Sequence, residues 1–106
     1  MANQPDLEVH DNSERHRFEA ELADGSVAIA QYRLTTGKIE FTHTKVPPEH
    51  EGQGIGSALI HAALCEARAR KLKVVATCAF FAAYMKKHEE VQDLLDPSYR
   101  KALGLA

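Results

Sequence analysis

Val46-Pro47-Pro48-Glu49-His50-Glu51-Gly52-Gln53-Gly54-Ile55-Gly56-Ser57 is the stretch on which the reading of this chain turns. Two prolines close what precedes it, because neither can donate to a sheet ladder. Three glycines at every second position then lead into an apolar, helix-forming run. Lacking a Cβ, they let a ligand approach the main chain. They also stand where successive amides can point into one concavity, at the start of a helix whose first four N–H groups have no internal partner. Such a place suits a phosphate or diphosphate, which the positive helix end also favours. A simple chain reversal is the plainer reading, but three alternating glycines are more than a turn requires. The known phosphate loops fit poorly. A Walker loop closes on Gly-Lys-Ser/Thr, and no Lys lies between Lys45 and Lys71. A dinucleotide fingerprint needs G-x-G-x-x-G and an acidic residue ending the next strand, whereas here the spacing is G-x-G-x-G and the next strand ends Thr77-Cys78.

Upstream of this loop the chain alternates. Phe18, Ala20 and Leu22 share one face of a strand, with Arg17, Glu19 and Glu21 on the other. Asp24-Gly25 offers a hairpin turn, a second strand runs from about Val27 to Leu34, Thr36-Gly37 turns again, and a third runs from about Lys38 to Val46. Downstream the period changes. Ile55, Ala58, Leu59, Ala62, Ala63 and Ala67 trace one helical face as far as about Arg70. Arg68, Arg70 and Lys71 sit where cations oppose the negative helix end. Lys73 to Cys78 is short and β-branched and reads as a buried strand, parallel to the third through a βαβ crossover. Phe80 to His88 is helical, with a further turn or two over Glu89 to Leu95 before Asp96-Pro97 stops it. The expectation is one small α+β domain over residues 1–106, core about 16–95, with an antiparallel meander and a βαβ crossover forming a mixed four-stranded sheet.

Composition narrows the function. Thirteen Lys and Arg against fifteen Asp and Glu leave a net charge of −2, which lacks the basic excess of a general nucleic-acid binder. No apolar run approaches the ~20 residues of a membrane span, and MANQPDLEVH lacks the apolar core of a signal peptide. Cys65 and Cys78 make neither a disulfide framework nor a zinc spacing, so no metal is expected. A cytoplasmic protein is expected, a monomer or weak dimer without nucleic-acid or membrane partners.

Val46-Pro47 followed by Glu51-Gly52-Gln53-Gly54-Ile55-Gly56 resembles motif A of the GNAT superfamily of acetyl-CoA-dependent N-acetyltransferases, Arg/Gln-x-x-Gly-x-Gly/Ala after a strand. His43-Thr44-x-Val46-Pro47 upstream and Cys78-x-Phe80-x-x-x-Tyr84-x-x-Lys87-His88 downstream resemble, more narrowly, its compact single-domain subgroup with a strand-end cysteine. The likeness extends from about Phe18 to Leu95. It implies an acetyl-CoA-dependent N-acetyltransferase, with coenzyme A as cosubstrate and an amine as acceptor. Carried over residue by residue, it implies that the amides of Gln53, Gly54 and Gly56, with Glu51, Gly52, Ile55 and Ser57 around them, hold the CoA diphosphate. Val46 would pair through its backbone with the pantetheine arm, and Lys87 would reach the phosphates. Tyr84 matches the tyrosine that protonates the departing thiolate, and Cys78 the cysteine near the acetyl group.

Two departures bear on function. Glu51 stands where the superfamily has Arg or Gln, and a carboxylate 4 Å from a phosphate costs on the order of 1 kcal/mol even in water. The chain also lacks the extra helices and closing strands that build the usual acceptor pocket, so the acceptor is not readable. An alternative function follows from both: a CoA-binding or adaptor module without turnover. The chemistry itself requires a deprotonated amine, and an amine of reference pKa near ~10.4 needs a base or desolvation. His43, on the third strand just ahead of Val46, is the candidate base. Cys78 would take up the acetyl group, line the pocket, or pack as a small hydrophobe; the start of the next helix is available to lower its pKa from ~8.5. Cys65, mid-helix beside Ala62 and Leu64, reads as packing.

Overall fold

The alternating segments become strands and the 3.6-period run becomes a long helix. The computed structural model describes residues 8–52 and 54–105. In order along the chain are β1 (Val9–Asn12), β2 (Arg17–Glu21), β3 (Val27–Thr35), β4 (Lys38–Lys45), α1 (Ile55–Ala69), β5 (Lys73–Ala76), α2 (Ala79–Lys87) and α3 (Pro97–Ala102), with 3-10 turns at Pro48–His50 and Glu89–Leu94. The sheet runs β1-β2-β3-β4-β5; the first four strands are antiparallel neighbours and β5 lies parallel to β4.

The sheet has five strands, not the expected four. The additional strand is β1, Val9-His10-Asp11-Asn12, which is short, polar and free of any apolar alternation. Partners far along the chain secure it. Tyr32 Oη donates to Asp11 Oδ1 at 2.6 Å and Arg70 Nη2 to Asp11 Oδ2 at 2.8 Å, so long-range contacts make a strand that local pattern does not announce. At the other edge β5 stops at Ala76, two residues short of the expected Cys78. Its outer side is covered by the C-terminal segment: Leu95 bridges to Val74, Asp96 N–H donates to the Val74 carbonyl, and Tyr99 Oη donates to the Ala76 carbonyl. That cover removes an otherwise unpaired edge. Asp96-Pro97 does end the 3-10 stretch, and Pro97 then opens α3, where its missing N–H costs nothing.

One apolar layer joins sheet and helices. Phe18, Ala20, Ala28, Ala30, Tyr32, Ile39, Phe41, Val74 and Ala76 face Leu59, Ile60, Ala63 and Leu64 of α1 and Phe81 and Met85 of α2, all buried. A fully buried Leu or Phe contributes about 2 kcal/mol by area alone. The stacked rings of Phe41 and Phe81, centroids 4.1 Å apart, fix α2 to the middle of the sheet and add about 1 kcal/mol more.

Two irregularities of β4 position the site. Gln31 pairs with His43 but Tyr32 with Phe41, so Thr42 is an extra residue in the ladder, a bulge. Cross-strand partners share a face. Past the bulge Thr44, opposite the fully buried Ala30, therefore turns to the helices, and His43, opposite Gln31, turns to the open face. Regular alternation from Phe41 would have done the reverse. The second irregularity is that β5 leaves early. The last parallel pair is Phe41 with Ala76, and Cys78 N–H donates to the Phe41 carbonyl at 3.0 Å. From Thr42 to Lys45, β4 continues with no strand beside it on that side.

Candidate active site

The glycine loop leaves β4 through the Pro48–His50 turn and enters α1 at Gly54, whose φ of 80° lies in the left-handed region. Gly54 is the residue before the helix and brings no side chain to cap it. The internal ladder begins with Ala58 N–H donating to the Gly54 carbonyl, and no acidic residue occupies the first turn. The amides of Ile55, Gly56 and Ser57 are thus the donors that the helix cannot satisfy from within. They open into a cavity of about 420 Å³ lined by Thr44, Val46, His50, Glu51, Gly52, Gly54, Ile55, Gly56, Ser57 and Phe80, within the range of small-molecule sites.

Most of the sequence-derived cofactor residues meet here: Val46, Glu51, Gly52, Gly54, Ile55, Gly56 and Ser57 all line the cavity. Gln53 lies outside the described residues. Lys87 is exposed in the last turn of α2 and is not part of the lining. Cys78 adjoins it through Thr44, whose Oγ1 is 3.3 Å from Cys78 Sγ. His43 does not line it. Exposed on the open face, it has its Nδ1 3.0 Å from the Thr42 carbonyl. Tyr84 is also elsewhere. It is 6% exposed, with Oη 3.5 Å from His61 Nδ1 and its ring stacked on His88 at 3.9 Å. Burial first, then the charges of Glu90 and Cys65, push its phenol up, so it stays protonated at neutral pH.

Three lining residues, Thr44, Phe80 and His50, stand in the quoted motif stretches but were not among the candidate site residues. Thr44 faces the cavity only because of the bulge. Phe80 packs its ring on Gly56: a β-carbon at that glycine would stand 2.6 Å from Phe80 Cζ. His50 reaches the β2–β3 turn, with Nε2 2.9 Å from Asp24 Oδ2. Asp24 is held well below the usual carboxylate range, first by the Ser26 hydroxyl and then by His50, so the turn is tied to the loop by an ionised carboxylate. On the open face Glu40 spans Arg33 and Thr77 at 2.6 and 2.9 Å, and the Arg33 guanidinium, then the Thr77 hydroxyl, lower its carboxyl. Among the described residues no group of three or more His, Cys, Asp or Glu could hold a metal ion, and no helix is long and apolar enough to cross a membrane.

A mixed sheet whose parallel pair parts beside the uncapped amides of the intervening helix defines a GNAT-like α+β domain. Comparison with known proteins agrees. The family model described as GCN5-related N-acetyl-transferase matches residues 17–94. The solution NMR structure of a GCN5-like protein from Staphylococcus aureus is 30% identical, covers 91% of each chain and superposes with a TM-score of 0.67. A search of curated proteins found no match. The chain belongs to the GCN5-related N-acetyltransferase family.

Proposed function

We propose that this protein transfers an acetyl group from acetyl-CoA to the nitrogen of an amine. The observation that carries the proposal is the set of uncapped first-turn amides of α1, opening into a cavity beside the unpartnered end of β4. A diphosphate fits that cradle, because backbone donors and the positive helix end need no side-chain cation. Ile55, Gly56 and Ser57 would donate their amides to it, with Gly52 and Gly54 leaving room for the approach. Lys87 would add charge towards the outer phosphate. The free edge of β4 near Val46 would pair with the amides of the pantetheine arm as an added strand does. Acetyl-CoA, when bound, supplies an activated acyl thioester.

The residues then divide the work by face. His43, on the open side, takes the proton of the amine as the new C–N bond forms and the C–S bond breaks. Cys78, beside Thr44 on the cavity side, returns a proton to the leaving sulfur. If Cys78 itself carries the acetyl group, intact-mass spectra after incubation with acetyl-CoA show an acetyl adduct, and Cys78→Ala abolishes turnover. Tyr84 has its hydroxyl on His61 and takes no part in this scheme. Thiol release on a panel of primary amines tests the proposal, and turnover of at least one is the expected result. A second reading, CoA binding without turnover, is favoured by Glu51, an acidic residue in the cavity lining. Tight CoA binding with no acetylated amine across the panel would decide for it.

A further inference from the structure

Phe80 opens α2 with 45% of its surface exposed, yet its ring tip lies against Gly56 in the first turn of α1. A β-carbon at position 56 would stand 2.6 Å from Phe80 Cζ and 2.7 Å from Cε2, and 3.6 Å from Val46 Cγ2. Ring tip and Val46 therefore flank one point, no more than about 6 Å apart, the most that legs of 2.6 and 3.6 Å allow. A chain lying between two carbons needs about 3.5–4.0 Å to each. The cavity runs from the first turn of α1 to Thr44 with Phe80 in its wall, and directly over Gly56 this ring and Val46 leave too little room for a chain.

We infer that Phe80 is the gate of the acyl-CoA channel, swinging between the position on Gly56, which narrows the channel, and one that admits the thioester arm. The inference rests on the acetyl-CoA reading of the cavity. It assigns Gly56 a cause of its own: the closed ring occupies the space of a side chain there. Opening demands little of the fold. Phe81, Tyr84 and Met85 anchor α2 by its buried face, so Phe80 can swing between rotamers about its own side-chain bonds while the helix stays in place.

The test is the association rate of CoA, measured by surface plasmon resonance on four proteins: wild type, Phe80→Ala, Gly56→Ala and the double variant. Removal of the ring is expected to speed association by roughly tenfold, the factor that an open fraction of about one in ten implies. Gly56→Ala displaces the ring tip but puts its own methyl into the passage, 3.6 Å from Val46 Cγ2, so it does not speed association, and the double variant falls below Phe80→Ala. A rate in Phe80→Ala that equals or trails the wild type overturns the gate. So does an association rate in the double variant equal to that of Phe80→Ala, since the methyl at position 56 would then lie off the path of the ligand. No CoA uptake by any of the four overturns the acetyl-CoA reading, whereas uptake indifferent to Phe80 overturns the gate alone.

Discussion

At Gly54 the backbone turns through a φ of 80° to aim the first amides of α1 into the cavity, a conformation that a β-branched residue adopts only under strain. Gly54→Val is expected to cost about 1–2 kcal/mol of local backbone strain, and to weaken CoA binding at least roughly tenfold as the loop retreats from that conformation. Calorimetry on the folded variant checks this. Gly56 differs: a side chain there would displace the ring of Phe80, a residue 24 positions away. The glycine spacing was legible in the sequence because it stands in one short stretch. The contact at its last member was not, because it crosses from one helix to another. Tyr84 entered the candidate set through the order of motif residues along the chain, and its hydroxyl lies 3.5 Å from His61 Nδ1, a neighbour on another helix.

Among the elements, β4 decides the division of labour. One extra residue, Thr42, exchanges the faces of His43 and Thr44. The alternation of Lys38 to Val46 reads as a plain strand, since a bulge of ordinary residues leaves no compositional mark. Hence His43 was legible as a candidate base and Thr44 was not legible as a cavity residue. On the proposed reading the bulge sets the candidate base apart from the phosphate cradle, and that separation is measurable. His43→Ala should lower kcat about a hundredfold, the usual contribution of a positioned base, while the Kd for CoA stays within about twofold. Steady-state kinetics on a responsive amine, paired with calorimetry, reads both; a parallel loss of kcat and CoA affinity would place His43 in the cradle instead.

Over the whole molecule, two layers and a single apolar core hold the parted strands in place. Their elements were legible from Phe18 to Leu95 because each carries a clear period, 2 in the strands and 3.6 in α1. The ends were not. β1 is polar and exists through Asp11 binding Tyr32 and Arg70, and the segment after Leu94 gains order by covering the edge of β5. His43, Glu40 and Thr77 stand on the face of the sheet opposite α1 and α2, and on the proposed reading an amine reaches the parted strands from that side. The most direct measurement of the central claim is a titration of the 15N-labelled protein with CoA, followed by amide NMR. The account predicts that the amides of Gly54, Ile55, Gly56 and Ser57 shift most, with Val46 following, while β1 and α3 stay still. Saturable binding that leaves those amides unmoved and shifts another surface would contradict it.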